Sequence, residues 1–221
     1  MSPRPLTSAR KGAPKGSAKS VVIFVHGYGA NGADLIGLAD PLAAHLPGTA
    51  FYSPDAPERC AGNPVGFQWF GIPHMDGTPE DMARRAQAQA ADDLNGFVDQ
   101  VLADEGLEAG ALALVGFSQG TMMSLHIAPR RPDPVAGIVG FSGRLLQPES
   151  LADAAVSKPP VLLVHGDQDD LVPPQSMPEA GDALTGAGFE VFAHVMKGTG
   201  HGIAQDGLSV ALAFMRDKLS L

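Results

Sequence analysis

Apolar residues in this chain follow two alternating rhythms. Nearly unbroken apolar runs at 21–26, 111–117, 135–141 and 161–165 have the length and β-branched content of strands buried on both faces. Residues 50–53 and 189–196 fit two further strands. Between these runs the apolar positions recur every three or four residues. Leu35, Leu38, Leu42 and Leu46 predict a helix over 34–45. Thr78-Pro79-Glu80-Asp81 supplies an N-cap, a proline at the first helical position and acids in the first turn, so a long helix is expected from there to about Asp104. Residues 119–128 form another helical stretch, ended by Pro129, and 204–219 a closing amphipathic one. Strands separated by helices need right-handed crossovers. They build a mostly parallel central sheet with helices on both faces, and such sheets bind ligands at the carboxyl ends of their strands.

The polar residues at those ends carry the candidate chemistry. Gly116-Phe117-Ser118-Gln119-Gly120 follows a buried strand and opens a helix, the context in which G-x-S-x-G forms a strained elbow that lifts a serine hydroxyl above the sheet. Serine is a weak nucleophile and needs a base, and the base needs an acid to hold its tautomer. In the α/β-hydrolase order the acid and then the histidine follow the serine. Asp167, Asp169 and Asp170 lie just past the 161–165 strand, and His201 sits in Gly198-Thr199-Gly200-His201-Gly202 after the last strand. His201 is preferred over His194, His45, His74 and His126, which fall within elements or early in the chain. Spacing alone does not choose among the three aspartates. Oxyanion stabilisation requires two backbone donors. The N–H of Gln119, at a helix N-terminus, and that of Tyr28, in His26-Gly27-Tyr28-Gly29, occupy the expected places.

Composition narrows the picture further. A chain of 221 residues that is 44% hydrophobic fills one sizeable core. Its net charge of −9 excludes a nucleic-acid partner, which needs a concentrated positive field. Arg4, Arg10, Lys11, Lys15 and Lys19 make the first twenty residues +5, which leaves −14 for the rest of the −9 chain. With its prolines and glycines, the segment 1–20 is expected to be a disordered basic tail ahead of a single catalytic domain at 21–221. The run at 21–25 is too short for a signal-peptide core, and no stretch approaches the roughly 18 apolar residues of a membrane span. A lone cysteine, Cys60, forms no internal disulfide, which suits a cytoplasmic location. His165, Asp167, Asp169 and Asp170 lack the companion ligands of a metal site, so neither metal nor cofactor is implied.

Taken in order, HGYGANGADLIGLA at 26–39, PDAPE at 54–58, QWF at 68–70, GFSQG at 116–120, GFSG at 140–143, HGDQDDLVP at 165–173 and GHGI at 200–203 resemble the phospholipase/carboxylesterase family of small α/β-hydrolases. The resemblance implies an α/β-hydrolase fold with no cap domain. It implies Asp169 as the acid, Ser118 and His201 as nucleophile and base, and Tyr28 and Gln119 as oxyanion donors. The implied activity is hydrolysis of short- to medium-chain carboxylic esters. Acyl-protein thioesterase, lysophospholipase and a non-catalytic ligand-binding scaffold are the alternatives. A dienelactone-type hydrolase is disfavoured because the elbow carries serine rather than cysteine. Relatives include dimers, although no residue pattern here selects a homodimer. Members usually carry an acid after the Trp-Phe pair, where this chain has Gly71. The Pro/Gly-rich connection over 54–77 is expected to form binding surface, with Trp69, Phe70, Ile72 and Met75 as the candidate acyl pocket.

Overall fold

The computed structural model describes residues 2–221. In chain order the strands are β1 (Ser8–Gly12), β2 (Ser20–Val25), β3 (Thr49–Pro54), the short pair β4 (Glu58–Arg59) and β5 (Phe67–Gln68), then β6 (Leu112–Phe117), β7 (Gly137–Phe141), β8 (Val161–Gly166) and β9 (Val191–Met196). The helices are α1 (Gly32–Ile36), α2 (Ala39–Ala43), α3 (Pro73–Asp76), α4 (Glu80–Glu105), α5 (Gln119–Ile127), α6 (Leu151–Ala154), α7 (Ser176–Gly186) and α8 (Gln205–Lys218).

Seven strands form one sheet in the order β1-β3-β2-β6-β7-β8-β9, parallel throughout except that β1 runs antiparallel to β3. The unbroken apolar runs follow from this arrangement, because side chains alternate between two covered faces. Val21, Ile23, Val25, Leu112 and Leu114 pack with Leu94 and Val98 of α4, Met123 of α5 and Leu184 of α7. Val22, Phe24, Ala113 and Val115 face the other way, onto Leu42 of α2 and Phe214 and Met215 of α8. Between β7 and β8 lie only a single 3-10 turn and the four-residue α6, so no further domain is inserted at that connection.

The long helix runs as its pattern predicts, with Ala90, Leu94, Val98 and Val101 buried along one face. Its start differs by a residue or two. Thr78 does not cap it; the Thr78 N–H donates to Asp76 Oδ1 at 2.9 Å, and the helix begins at Glu80. The helix expected over 34–45 is broken into α1 and α2. Pro41 has no N–H to give the Gly37 carbonyl, and its ring would crowd that carbonyl in a continuous helix. Asn31 opens α1 instead, in a reciprocal cap with Asp34: the Asp34 N–H donates to Asn31 Oδ1 at 3.1 Å and the Asn31 N–H to Asp34 Oδ2 at 2.9 Å.

The segment 1–20 departs from its expectation of disorder. Ser8–Gly12 extends the sheet as β1, and its basic side chains have partners that composition does not show. Arg10 Nη2 reaches Glu105 Oε1 at 2.7 Å, and the Tyr52 hydroxyl donates to the same oxygen at 2.5 Å. The Gly16 N–H donates to Glu105 Oε2 at 2.8 Å, so a carboxylate with 0% side-chain exposure is fully engaged. Arg4 likewise meets the enclosed Asp93 at 2.7 Å. The acidic residues of this chain of net charge −9 are not all on its surface; two buried acids, Glu105 and Asp93, are matched from this terminus. No helix is long and apolar enough to cross a membrane among the described residues.

Candidate active site

β6 delivers Ser118 at its carboxyl end with φ 53° and ψ −115°, a left-handed conformation that a serine adopts only where its surroundings enforce it. The enforcement is visible. The Ser118 N–H donates to the Phe141 carbonyl of β7 at 2.9 Å. A Cβ at Gly120 would strike the Val25 carbonyl, and one at Gly116 would strike the Thr121 amide. Only glycine on either side lets α5 turn back this closely against β2 and β6.

His201 and Asp169 come together from separate loops. His201 Nδ1 lies 2.8 Å from Asp169 Oδ2. A carboxylate only accepts, so Nδ1 carries the proton and Nε2 is left for the cavity that Ser118 also lines. Asp169 is enclosed, with 0% side-chain exposure. Burial pushes its carboxyl up, but His201 and the N–H groups of Val172 and Leu171, at 2.9 and 3.0 Å from Oδ1, outweigh that and hold it below its ordinary range. Of the three acids that spacing left open, Asp169 alone meets His201. Asp167 accepts the Gly198 N–H at 2.7 Å and so shapes the loop carrying His201, and Asp170 is exposed. His165, considered in the sequence only as a metal ligand, places Nε2 3.2 Å from Asp169 Oδ2 and 2.9 Å from the Val172 carbonyl. His194 pairs elsewhere, with Asp206 at 2.8 Å. No cluster of three or more His, Cys, Asp or Glu is placed to hold a metal among the described residues.

Tyr28 and Gln119 both line the cavity beside Ser118, and Gln119 is the first residue of α5, whose N–H has no carbonyl one turn back. The Tyr28 loop is fixed by the buried His26. Its Nε2 accepts the Ala56 N–H at 2.9 Å, so Nδ1 must donate to the Gly27 carbonyl at 2.7 Å. That arrangement requires a neutral ring, and burial holds the His26 imidazole below its ordinary range. The Tyr28 hydroxyl donates to Asp76 Oδ2 at 2.9 Å, an oxygen that also takes the Ile72 N–H at 2.9 Å. Burial pushes the Asp76 carboxyl up, but donors from Thr78, Ile72 and Tyr28 prevail and hold it at about 2. Asp76 thus ties the α3 loop to the Tyr28 loop, a link no short sequence pattern announces.

The cavity at Ser118 encloses about 250 Å³. Ile72 and Met75 line it, Met75 being 58% exposed. Trp69 and Phe70 do not. Trp69 is fully buried, its Nε1–H donating to the His26 carbonyl at 3.0 Å and its N–H to Gln119 Oε1 at 2.9 Å. Phe70 lines a neighbouring cavity of about 350 Å³, and its carbonyl accepts from Gln119 Nε2 at 2.8 Å. Both stand in a Pro/Gly-rich connection that suggests pocket residues, yet the Gln119 side chain draws their backbone into the core. Met122, Arg144, Leu171, Val172 and Pro173 also line it, with no signal in the sequence to mark them. They come from α5 and two loops with no motif of their own.

A nucleophile candidate, an imidazole held by a buried carboxylate and two free amides around one cavity have the makings of acyl transfer. Known proteins carry the same frame. The chain is 29% identical over 206 residues to esterase YpfH of Escherichia coli (strain K12), a match covering 92% of this chain and 84% of that protein. It is 27% identical over 214 residues to acyl-protein thioesterase 1 of Gibberella zeae, covering 90% and 91%. Among solved structures, esterase PE8 superposes with a TM-score of 0.91 at 42% identity, over 98% of this chain and 100% of that one. A phospholipase/carboxylesterase from Dyadobacter fermentans superposes with a TM-score of 0.78 at 25% identity, over 97% and 98%. The phospholipase/carboxylesterase family model spans residues 9–219, β1 through α8, and the chain therefore belongs to that family of α/β-hydrolase enzymes.

Proposed function

We propose that the protein is a serine carboxylesterase that cleaves short- to medium-chain esters through an acyl-enzyme formed on Ser118. The observation that carries this reading is the 2.8 Å pairing of His201 with the buried Asp169 beside the cavity that holds Ser118. Ser118 Oγ attacks the ester carbonyl while His201 Nε2 takes its proton, and the Tyr28 and Gln119 amides receive the developing negative charge. Collapse of the tetrahedral intermediate breaks the bond to the alkoxy oxygen, to which His201 returns the proton. Water, activated by the same imidazole, then releases the acid and restores Ser118. A cavity of about 250 Å³ suits a short acyl chain.

Labelling with a fluorophosphonate tests the reading directly. Adduct formation at Ser118, identified by peptide mass and absent after Ser118→Ala, supports it. A protein that takes no label yet hydrolyses p-nitrophenyl butyrate refutes the nucleophile. Comparing kcat/KM for matched oxygen esters and thioesters decides between the carboxylesterase reading and the thioesterase activity named for the fungal relative.

A further inference from the structure

The cavity at Ser118 adjoins the second cavity, and Ile72, His74, Met122 and Arg144 line both. Arg144 follows β7, is exposed, and has no ion pair or hydrogen bond among the described residues. The other cation on these walls, Arg84, is neutralised by Glu80 at 3.0 Å, and no further acid lines either cavity. A chain of net charge −9 thus presents an uncompensated guanidinium at the junction of its two cavities, one of which holds the serine. The walls it shares carry apolar Ile72 and Met122 beside His74, and the second cavity adds Leu146. A cavity whose largely apolar wall holds both Ser118 and a free cation fits a ligand with an apolar middle and an anionic end. A guanidinium favours planar oxyanions, which it binds with two parallel N–H donors.

We propose that the preferred substrates are esters bearing a carboxylate or phosphate a few bonds from the scissile carbonyl, and that Arg144 binds this anion. The inference rests on the esterase reading above and adds a substrate class to it. Because Arg144 is exposed, its pairing with a ligand is partly screened by water, so the expected preference is about tenfold rather than thousandfold.

The test compares size-matched pairs of esters. One pair carries the charge on the acyl side, p-nitrophenyl hydrogen glutarate against p-nitrophenyl pentanoate. Two carry it on the alcohol side, with the butanoate of glycolate or of 2-hydroxyethyl phosphate against propyl butanoate. In at least one pair the anionic member should have the higher kcat/KM. Arg144→Gln should lower the anionic-to-neutral ratio about tenfold, mainly through KM, Arg144→Lys should retain part of it, and about 0.5 M salt should reduce it in the unsubstituted protein. The pair that responds identifies the side and the anion. A ratio unchanged by Arg144→Gln in all three pairs, with the variant melting normally, overturns the proposal. If neutral esters are still cleaved and Ser118→Ala abolishes that cleavage, the esterase reading stands while this one falls. An unsubstituted protein that cleaves none of the esters fails at the esterase reading itself.

Discussion

His165 Nε2 lies 3.2 Å from Asp169 Oδ2, the oxygen that His201 Nδ1 meets at 2.8 Å. The same His165 nitrogen stands 2.9 Å from the Val172 carbonyl, which only accepts, so it carries its proton between two acceptors. One imidazole thus donates to the Val172 carbonyl close behind the carboxylate that pairs with the other. His165→Leu should lower kcat roughly tenfold by releasing the Val172 carbonyl, whose residue donates its own N–H to Asp169, a loss of about 1.5 kcal/mol. His165→Gln restores a donor at nearly the position of Nε2 and should recover most of it. Steady-state kinetics on a neutral ester decides: a glutamine variant no better than the leucine one means that His165 merely fills space.

Replacing the acid separates the three aspartates functionally. Asp169→Asn puts an amide opposite His201 Nδ1 and favours the wrong tautomer, so kcat should fall by roughly 10⁴-fold. Ser118→Ala should cost roughly 10⁴-fold to 10⁶-fold with the fold intact. Asp167→Asn removes the charge behind one loop hydrogen bond and an exposed ion pair with Lys197, and should cost less than tenfold. Equal losses at Asp167 and Asp169 would contradict the assignment.

The N-terminal segment offers a stability test. A chain beginning at Lys15 lacks β1 and takes Arg10 from Glu105, a carboxylate with 0% side-chain exposure. Leaving that charge without its cation should cost about 3 to 5 kcal/mol, seen as a clear drop in melting temperature. A shortened chain that melts with the parent would show that β1 adds nothing to stability.

Much of this architecture is readable from periodicity, and the reason is burial. Strands covered on both faces, such as Val161–Gly166, leave no polar residue to interrupt the pattern, and the elbow, the acid and the histidine stand at predictable ends of them. The pattern misleads where a single distant contact decides the outcome. Trp69 looks like a loop aromatic until Gln119, from a different part of the chain, takes its amide proton at 2.9 Å. Residues 8–12 look like tail until Glu105, more than ninety positions away, is seen to need Arg10. Arg144 and Met122 carry no local signature at all, because a cavity wall is assembled from elements that sequence order keeps apart.

His126 predicts a pH response. Burial, and secondarily the nearby Arg130 charge, holds its imidazole at about 4, against 6.5 for an ordinary histidine. Between those values the unfolded chain binds a proton that the folded one refuses, so stability must fall as pH drops through that window. Buried His26 acts in the same direction. The melting temperature should be lower at pH 5 than at pH 7, and His126→Gln should narrow the difference. A melting temperature that is flat over this interval would contradict the burial of both rings.

The first strand also has a bearing on how the chain survives its own synthesis. Ser8–Gly12 leaves the ribosome before β3, its sole neighbour in the sheet, has been made. A bare strand with unsatisfied amides invites association with other nascent chains. Arg10 and Lys11, side by side in it, supply mutual repulsion between such copies until Glu105 and Asp40 arrive to neutralise them. The charges that make this segment look like a tail are thus the ones that anchor it once Glu105 and Asp40 are in place.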